Sequence, residues 1–125
     1  MKKNIALIGM AGVGKSFTSK ILASKLNFEY VSVDDLIIEE ARKAGTHQHN
    51  VTDDVFMEFE TTAIISLENK TNLIIDTGGS VIYSPLGMDV LERNAFIVYL
   101  LDSPQNIKER FITRGIPHLV GMKKI

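Results

Sequence analysis

The chain carries one short stretch, GMAGVGKS at residues 9–16, whose residue types and spacing suit the binding of a polyphosphate. It satisfies the pattern G-x-x-x-x-G-K-[ST], which average residue frequencies would produce by accident in roughly one in a few hundred chains of this length. Glycines allow the backbone to curl so that several N–H groups point inward, and a following helix adds the positive end of its dipole. In such a loop Lys15 would reach the β- and γ-phosphates, and the Ser16 hydroxyl would bind Mg²⁺. The stretch predicts a nucleoside triphosphate site with contacts from Gly12, Val13, Gly14, Lys15, Ser16 and Phe17.

Three other interpretations of this stretch receive less support. A strand-to-helix turn with a solvated lysine is disfavoured because both the pattern and its position between a predicted strand and helix match. A GTPase is suggested by Asp76-Thr-Gly-Gly79, which resembles a D-x-x-G switch motif. A GTPase also needs N-K-x-D after a later strand, whereas Asn69-Lys70 is followed by Thr-Asn and precedes the third predicted strand. An oligomer-forming ATPase module, a third class of phosphate-loop protein, would usually need a longer chain.

Acidic residues follow two of the predicted strands, at the edge where ligands collect in open α/β sheets. Asp34 and Asp35 follow the second strand, and Asp76 ends the third. One of the first two is expected to cap the next helix. We predict that Asp35 binds the acceptor hydroxyl and that Asp34 binds a metal-bound water. Asp35 and Lys15 are the two predicted catalytic residues. Asp76 is expected to hold Mg²⁺ through water, the alternative being a turn aspartate bonded to its own backbone. The predicted metal ligands are Ser16, Asp34 and Asp76.

Apolar runs that alternate with segments of helical periodicity predict the elements that position these residues. We expect strands at 4–8, 28–33, 72–76 and 95–101, and helices at 14–26, 34–45, 55–70, 84–94 and 102–115. Continuous apolar strands alternating with helices indicate an α/β fold, a three-layer α/β/α sandwich around a parallel sheet. In the first helix, one apolar stripe is predicted to pack on the sheet: Phe17, Ile21, Leu22 and Leu26.

Capping residues predict where the helices begin and end. Asp34 or Asp35 is expected to cap the second helix, and Gly45 to end it. Ser84 followed by Pro85 predicts the start of the fourth helix.

Length and composition limit the range of functions. A chain of 125 residues predicts a single domain over residues 1–125, and a net charge of −1 argues against nucleic acid as the partner. The absence of cysteine fits a reducing compartment, and no apolar run is long enough to span a bilayer, so we expect a cytoplasmic monomer without a membrane partner. The basic and apolar opening residues could suggest a signal peptide, but their glycines are better explained by a phosphate loop. Since the chain ends soon after the last predicted helix, we expect a final strand, a helix and part of a lid to lie outside it.

Taken in this order, the motifs resemble those of the shikimate kinase family, within the wider nucleoside monophosphate kinase-like group of P-loop proteins. The resemblance covers essentially residues 3–120. It rests on GMAGVGKS, on DDLIIEE, similar to the family's D-x-D-x-x-I-E, on FMEFE, similar to F-R-x-x-E, on DTGGSV, similar to a glycine-triplet turn, and on ERFITRGIPHLV, similar to the stretch before the lid. Members phosphorylate the 3-hydroxyl of shikimate with MgATP on a five-stranded parallel sheet with a mobile lid. The resemblance implies ATP and Mg²⁺ as cofactors and a role in aromatic amino acid biosynthesis.

The resemblance also implies roles for individual residues. Asp35 matches the aspartate that holds the acceptor hydroxyl, and Glu60 matches the acid that braces a substrate arginine. Gly78 and Gly79 match the first two glycines of the triplet, whose backbone N–H faces the substrate. Arg110 matches the arginine that lies along the adenine.

The chain departs from the family pattern at four positions. Val33 stands where the first aspartate is expected, Ser80 replaces the third glycine, and Ile116 replaces an arginine of the lid. Met57 replaces the arginine that binds the shikimate carboxylate, and a thioether cannot form that charge-assisted pair. The sequence therefore predicts ATP-dependent phosphorylation of a small hydroxylated metabolite, either shikimate or another polyol or hydroxy acid. The alternative is a nucleotide-binding module with little or no kinase activity.

Overall fold

The computed structural model describes residues 3–9, 13–101, 105–106 and 109. Along these residues the chain forms β1 (Asn4–Ile8), α1 (Lys15–Leu26), β2 (Glu29–Ser32), α2 (Val33–Lys43), α3 (Asp53–Ile65), β3 (Leu73–Asp76), a 3₁₀ turn (Val81–Tyr83), α4 (Pro85–Asn94) and β4 (Ala95–Tyr99). All four predicted strands and the first four predicted helices are present. Of the helix predicted at 102–115, Gln105, Asn106 and Glu109 are helical, and the remainder lies outside the described residues. Among the helices of the described part, none has the length and apolar character that crossing a membrane requires.

The four strands form one parallel sheet in the order β2-β3-β1-β4. In this register Leu7 of β1 and Ser32 of β2 both lie opposite Asp76 of β3. The carboxyl ends of these three strands therefore meet at one edge of the sheet. The phosphate loop, the start of α2 and the turn after β3 all begin there, which is the arrangement that the sequence predicts for a ligand site.

Side chains at alternate positions of the central strands pack on opposite faces of the sheet. Leu7 and Ile74 form a cluster with Ala23 of α1. A larger cluster on the other face combines strand residues with residues of α2, α3 and α4: Ala6, Ile8, Leu73 and Ile75 with Ile37, Ile64 and Leu91. Helices cover both faces, so the predicted three-layer α/β/α sandwich is confirmed.

The face of α1 that packs on the sheet is not the predicted apolar stripe. Three residues of that stripe are exposed: Phe17 by 72%, Ile21 by 41% and Leu26 by 45%. The buried residues of the helix are Lys15, Ser19 and Ala23, spaced four apart. Gly14 fixes the start of the helix, and the Lys15 side chain is turned toward the sheet, so residues four and eight positions later share that face. The rotation of this helix is therefore set by the burial of Lys15 at the end of the phosphate loop, and not by the apolar pattern.

The predicted cap of α2 is also wrong. Ser32 is the N-cap, and its Oγ accepts a hydrogen bond from the Asp35 backbone N–H at 3.3 Å. The helix therefore begins at Val33, and the two aspartates lie in its first turn, where carboxylates interact favourably with the helix dipole. At α4 the prediction is confirmed, since Ser84 Oγ accepts from the Gly87 N–H at 3.1 Å and Pro85 opens the first turn.

Candidate active site

The phosphate loop connects β1 to α1, and two of its glycines are required for different reasons. At Gly9 a Cβ would lie 2.5 Å from the Leu100 carbonyl oxygen, so glycine allows two chain segments to approach closely. At Gly14 a Cβ would meet nothing within 4 Å, but φ is +97°, a conformation that residues with a side chain adopt at a cost. Val13 is buried, whereas Phe17 is exposed. Gly12 lies outside the described residues.

Lys15 is buried at the start of α1, and its Nζ donates a hydrogen bond to the Gly9 carbonyl oxygen at 2.7 Å. Burial lowers the pKa of its ammonium group, while the carboxylates of Asp76 and Asp34 oppose that change. The structure therefore places the lysine beside the loop and within electrostatic reach of both predicted metal-binding aspartates.

Ser16, the predicted magnesium ligand, donates from its Oγ to Oδ2 of Asp76 at 2.7 Å. The phenol of Tyr30 donates to the same oxygen, also at 2.7 Å. Burial raises the pKa of Tyr30 to about 12, and the hydrogen bond to Asp76 contributes to the increase. Tyr30 was missed by sequence reasoning. No signal in the sequence identifies it, because its contact with Asp76 depends on the pairing of β2 with β3.

The donor set around Ser16 fits Mg²⁺. Magnesium prefers oxygen ligands and is usually held by one or two carboxylates together with phosphate oxygens and water. Within the described ranges, no cluster of three or more His, Cys, Asp or Glu side chains could hold a metal ion. The hydroxyl of Ser16 and the carboxylate of Asp76 would therefore need oxygen atoms of a bound phosphate to complete the shell.

A second cluster forms where the turn after β3 meets the start of α2 and the middle of α3. A Cβ on Gly78 would lie 3.1 Å from Oδ1 of Asp34 and 3.6 Å from Oε2 of Glu60. Glu60 is completely buried, and its Oε2 accepts a hydrogen bond from Ser80 Oγ at 2.7 Å. In the described part of the chain, its Oε1 has no hydrogen-bond partner. Burial raises the pKa of Glu60 to about 7, against the opposing effect of the Ser80 hydrogen bond.

Of the two neighbouring aspartates, Asp34 is the one whose carboxylate the structure brings into this cluster. Although the residue as a whole is exposed, loss of hydration raises the pKa of Asp34, the Asp76 carboxylate raises it further, and Lys15 opposes the change. Asp35 is exposed, and the contact described for it is the one from its backbone N–H to Ser32. The structure thus brings Asp34 against Gly78, and the acceptor role that the sequence analysis assigned to Asp35 stays a prediction.

Met57 is half-buried beside a groove of about 530 Å³ between α3 and the start of α4. The groove is lined by Asp54, Met57, Glu58, Thr61, Thr62, Ser84, Pro85 and Leu86, which include two acidic side chains and no basic one. Gly79 is half-buried in the turn between Gly78 and Ser80. Arg110 and Ile116 lie outside the described residues, and the predicted adenine contact of Arg110 stays a prediction.

Comparisons with known proteins identify the family of the chain. A family model described as shikimate kinase matches residues 11–122. A shikimate kinase of Dehalococcoides mccartyi is 35% identical over 112 residues, which cover 87% of this chain and 62% of that protein. A shikimate kinase of Caldicellulosiruptor saccharolyticus is 34% identical over 109 residues, which cover 86% of this chain and 63% of that protein.

Solved structures extend the comparison to the fold. The structure of a shikimate kinase from Acinetobacter baumannii in complex with shikimate superposes with a TM-score of 0.72 at 25% identity, covering 89% of this chain and 63% of that one. A gluconokinase from Sinorhizobium meliloti, at 20% identity and a TM-score of 0.64, covers 90% of this chain and 65% of that one and shares the fold alone. The chain spans about 62% of the length of the first curated relative that it matches.

Proposed function

This chain belongs to the shikimate kinase family, and from that premise we propose that it binds MgATP and transfers the γ-phosphoryl group to a hydroxyl of a small metabolite. The observation that carries the proposal is the position of Asp34. Its carboxylate interacts electrostatically with Lys15 and Asp76 on one side and lies against Gly78 on the other. One side chain therefore links the predicted nucleotide site to the predicted acceptor site.

When a nucleotide binds, the Lys15 ammonium would give up its hydrogen bond to the Gly9 carbonyl and donate to phosphate oxygens instead. The metal ion, when bound, supplies positive charge that neutralises the phosphate oxygens. Ser16 would contribute its hydroxyl oxygen to the metal, and Asp76 would accept a hydrogen bond from that hydroxyl, as it already does in this structure. These groups hold and orient the triphosphate, which is most of what phosphoryl transfer asks of a protein.

At the acceptor end, Asp34 would accept a hydrogen bond from the reacting hydroxyl and so hold its oxygen in line with the γ-phosphorus. A bond forms between that oxygen and phosphorus, the bond from phosphorus to the β,γ-bridging oxygen breaks, and the hydroxyl proton passes to the carboxylate. The backbone N–H groups of Gly78 and Gly79 would contact the acceptor. A side chain at Gly78 would crowd Oδ1 of Asp34, so the two groups are near enough to contact one acceptor.

The acceptor itself is proposed only as a hydroxylated metabolite, which is shikimate or another polyol or hydroxy acid. Around Gly78 the structure brings together two carboxyl groups, Asp34 and Glu60. Met57, three residues before Glu60 in α3, stands where the family has an arginine. The Met57 thioether offers no cation to pair with a carboxylate, which supports a neutral polyol over a carboxylate-bearing acceptor. The absence of the arginine at Met57 also supports the second candidate function, a nucleotide-binding module with little catalysis.

The matched variants Asp34→Asn and Asp35→Asn test the assignment, because they remove the same charge from adjacent residues of one helical turn. We expect Asp34→Asn to lower the rate of phosphoryl transfer, followed as ADP formation, at least about a hundredfold. Losses of this size are typical when the group that accepts a proton in the reaction is removed. Asp35→Asn should leave the rate within about threefold. ATP binding, measured by calorimetry, should stay within about threefold in both variants and fall sharply in a Lys15→Ala control.

The assay would use shikimate, gluconate and a neutral polyol as acceptors, with product detected by mass spectrometry. A large rate loss in Asp35→Asn and not in Asp34→Asn would return the acceptor role to Asp35. ATP binding without transfer to any acceptor would favour the binding module. No ATP binding by the unaltered chain would overturn the proposal as a whole.

A further inference from the structure

We infer that Tyr30 is a positioning residue for the metal side of the nucleotide site: its phenol holds Asp76 in the orientation that directs the Ser16 hydroxyl oxygen toward Mg²⁺. The inference rests on the proposed function, since it concerns how that site holds its metal. It assigns a role to a side chain outside the phosphate loop and outside the acidic residues.

The sheet register explains how Tyr30 reaches Asp76. Tyr30 lies opposite Ile74, and Ser32 lies opposite Asp76, so the tyrosine is two residues short of the carboxyl edge of the sheet. Two residues of strand span about 6.6 Å, roughly the reach of a tyrosine side chain. The ring packs against the cluster of Leu7, Ala23 and Ile74 beneath α1. Its phenol then ends at the edge of the sheet, 2.7 Å from Asp76 Oδ2.

The ring is also held from the side of α1. Lys20 Nζ lies 5.5 Å from the centroid of the Tyr30 ring, within the range of a cation–π contact. The ring is thus held by its packing against this cluster and by the nearby charge of Lys20. A donor fixed in this way can restrain the carboxylate that accepts from it.

The hydrogen-bond pattern shows what the restraint does. A serine hydroxyl has one proton and two lone pairs, and the proton of Ser16 is committed to Asp76 Oδ2. With that proton committed to the carboxylate, Ser16 has lone pairs to offer a metal ion. Its hydroxyl also lies within hydrogen-bond reach of the Tyr30 phenol. Because Tyr30 binds the same oxygen, rotation of Asp76 would break two hydrogen bonds at once. Tyr30 therefore keeps the Ser16 oxygen in its metal-facing orientation.

The substitution Tyr30→Phe isolates this role, since it keeps the ring, its packing and the contact with Lys20 and removes only the donor. Nucleotide binding is measured by calorimetry at fixed ADP, first in EDTA and then across a range of Mg²⁺ concentrations. In EDTA, we expect Tyr30→Phe to bind ADP with unchanged affinity. The Mg²⁺ concentration that produces half of the maximal increase in ADP affinity should rise about three- to tenfold, the effect of one hydrogen bond. Tyr99→Phe, the same change at an exposed position of β4, should match the unaltered protein.

A double-mutant cycle shows whether Tyr30 acts through Asp76. Asp76→Asn alone should raise the Mg²⁺ requirement, and adding Tyr30→Phe should raise it no further. Binding of Mn²⁺ in place of Mg²⁺, followed by electron paramagnetic resonance, gives a readout of the metal itself.

The inference is overturned if Tyr30→Phe and Tyr99→Phe have the same Mg²⁺ dependence while ADP still binds. It is also overturned if Tyr30→Phe loses affinity equally in EDTA and in Mg²⁺, which would indicate a packing role, or if the two substitutions of the cycle are additive. Failure of the unaltered chain to bind ADP under any condition is a different result, and it would refute the proposed function instead.

Discussion

The buried carboxyl group of Glu60 makes protein stability depend on pH in a way that one substitution should abolish. Glu60 is fully buried, with Ser80 as the donor to one oxygen, and its pKa is raised from 4.5 to about 7, mainly by burial. The folded protein therefore prefers the protonated form. Well below pH 4.5 the group is protonated in both the folded and the unfolded chain, so it does not change the free energy of unfolding there.

As the pH rises above 4.5, the unfolded chain loses this proton first, and the folded state becomes less stable relative to it. The cost grows until about pH 7, where the folded state also ionises, and is constant above that value. A separation of about 2.5 pH units corresponds to a total of about 3 kcal/mol. Between pH 5 and pH 8 the free energy of unfolding should fall by about 2.5 kcal/mol through this group alone.

The substitution Glu60→Gln keeps the size of the side chain and removes the titration. Urea unfolding at several pH values should show the variant gaining stability over the unaltered protein by about 2.5 kcal/mol from pH 5 to pH 8. Glu58→Gln, at an exposed position of the same helix, serves as the control for loss of a carboxyl group. If the curves for Glu60→Gln and the unaltered protein run parallel over this range, the reasoning about the buried carboxyl group is wrong.

Other predictions concern two glycines of the phosphate loop and Met57 of α3. Gly9→Ala should lower the free energy of unfolding by about 2–3 kcal/mol because its Cβ would collide with the Leu100 carbonyl, whereas Gly14→Ala should cost only about 1 kcal/mol, from backbone conformation. Equal losses in urea unfolding would contradict that distinction. Met57→Arg should place a cation one helical turn from Glu60 and raise shikimate affinity by about ten- to a hundredfold in calorimetry. Met57→Leu is its control, and an arginine without effect would mean that this face of α3 does not contact the acceptor.

Local features of the sequence were sufficient to predict much of the fold. Four apolar runs became four parallel strands, and Ser84-Pro85 began α4 as expected, because strand hydrophobicity and helix capping depend on neighbouring residues. The phosphate-loop pattern likewise depends on a short segment, which is why Lys15, Ser16 and the edge of the sheet where they lie could be predicted. The acidic residues at the ends of β2 and β3 were placed at the correct edge for the same reason.

The contacts between distant segments were decided only by the tertiary structure. The rotation of α1 buries Lys15, Ser19 and Ala23 in place of its apolar stripe. The start of α2 at Val33 brings the Asp34 carboxylate against Gly78. Tyr30 and Asp76 are 46 residues apart and meet because of the pairing of β2 with β3. A shift of one residue in a strand reverses the face of every side chain, and one residue in a helix turns a side chain by about 100°. Residue types alone therefore indicate which chemistry is present, whereas register and helix rotation decide which atoms meet.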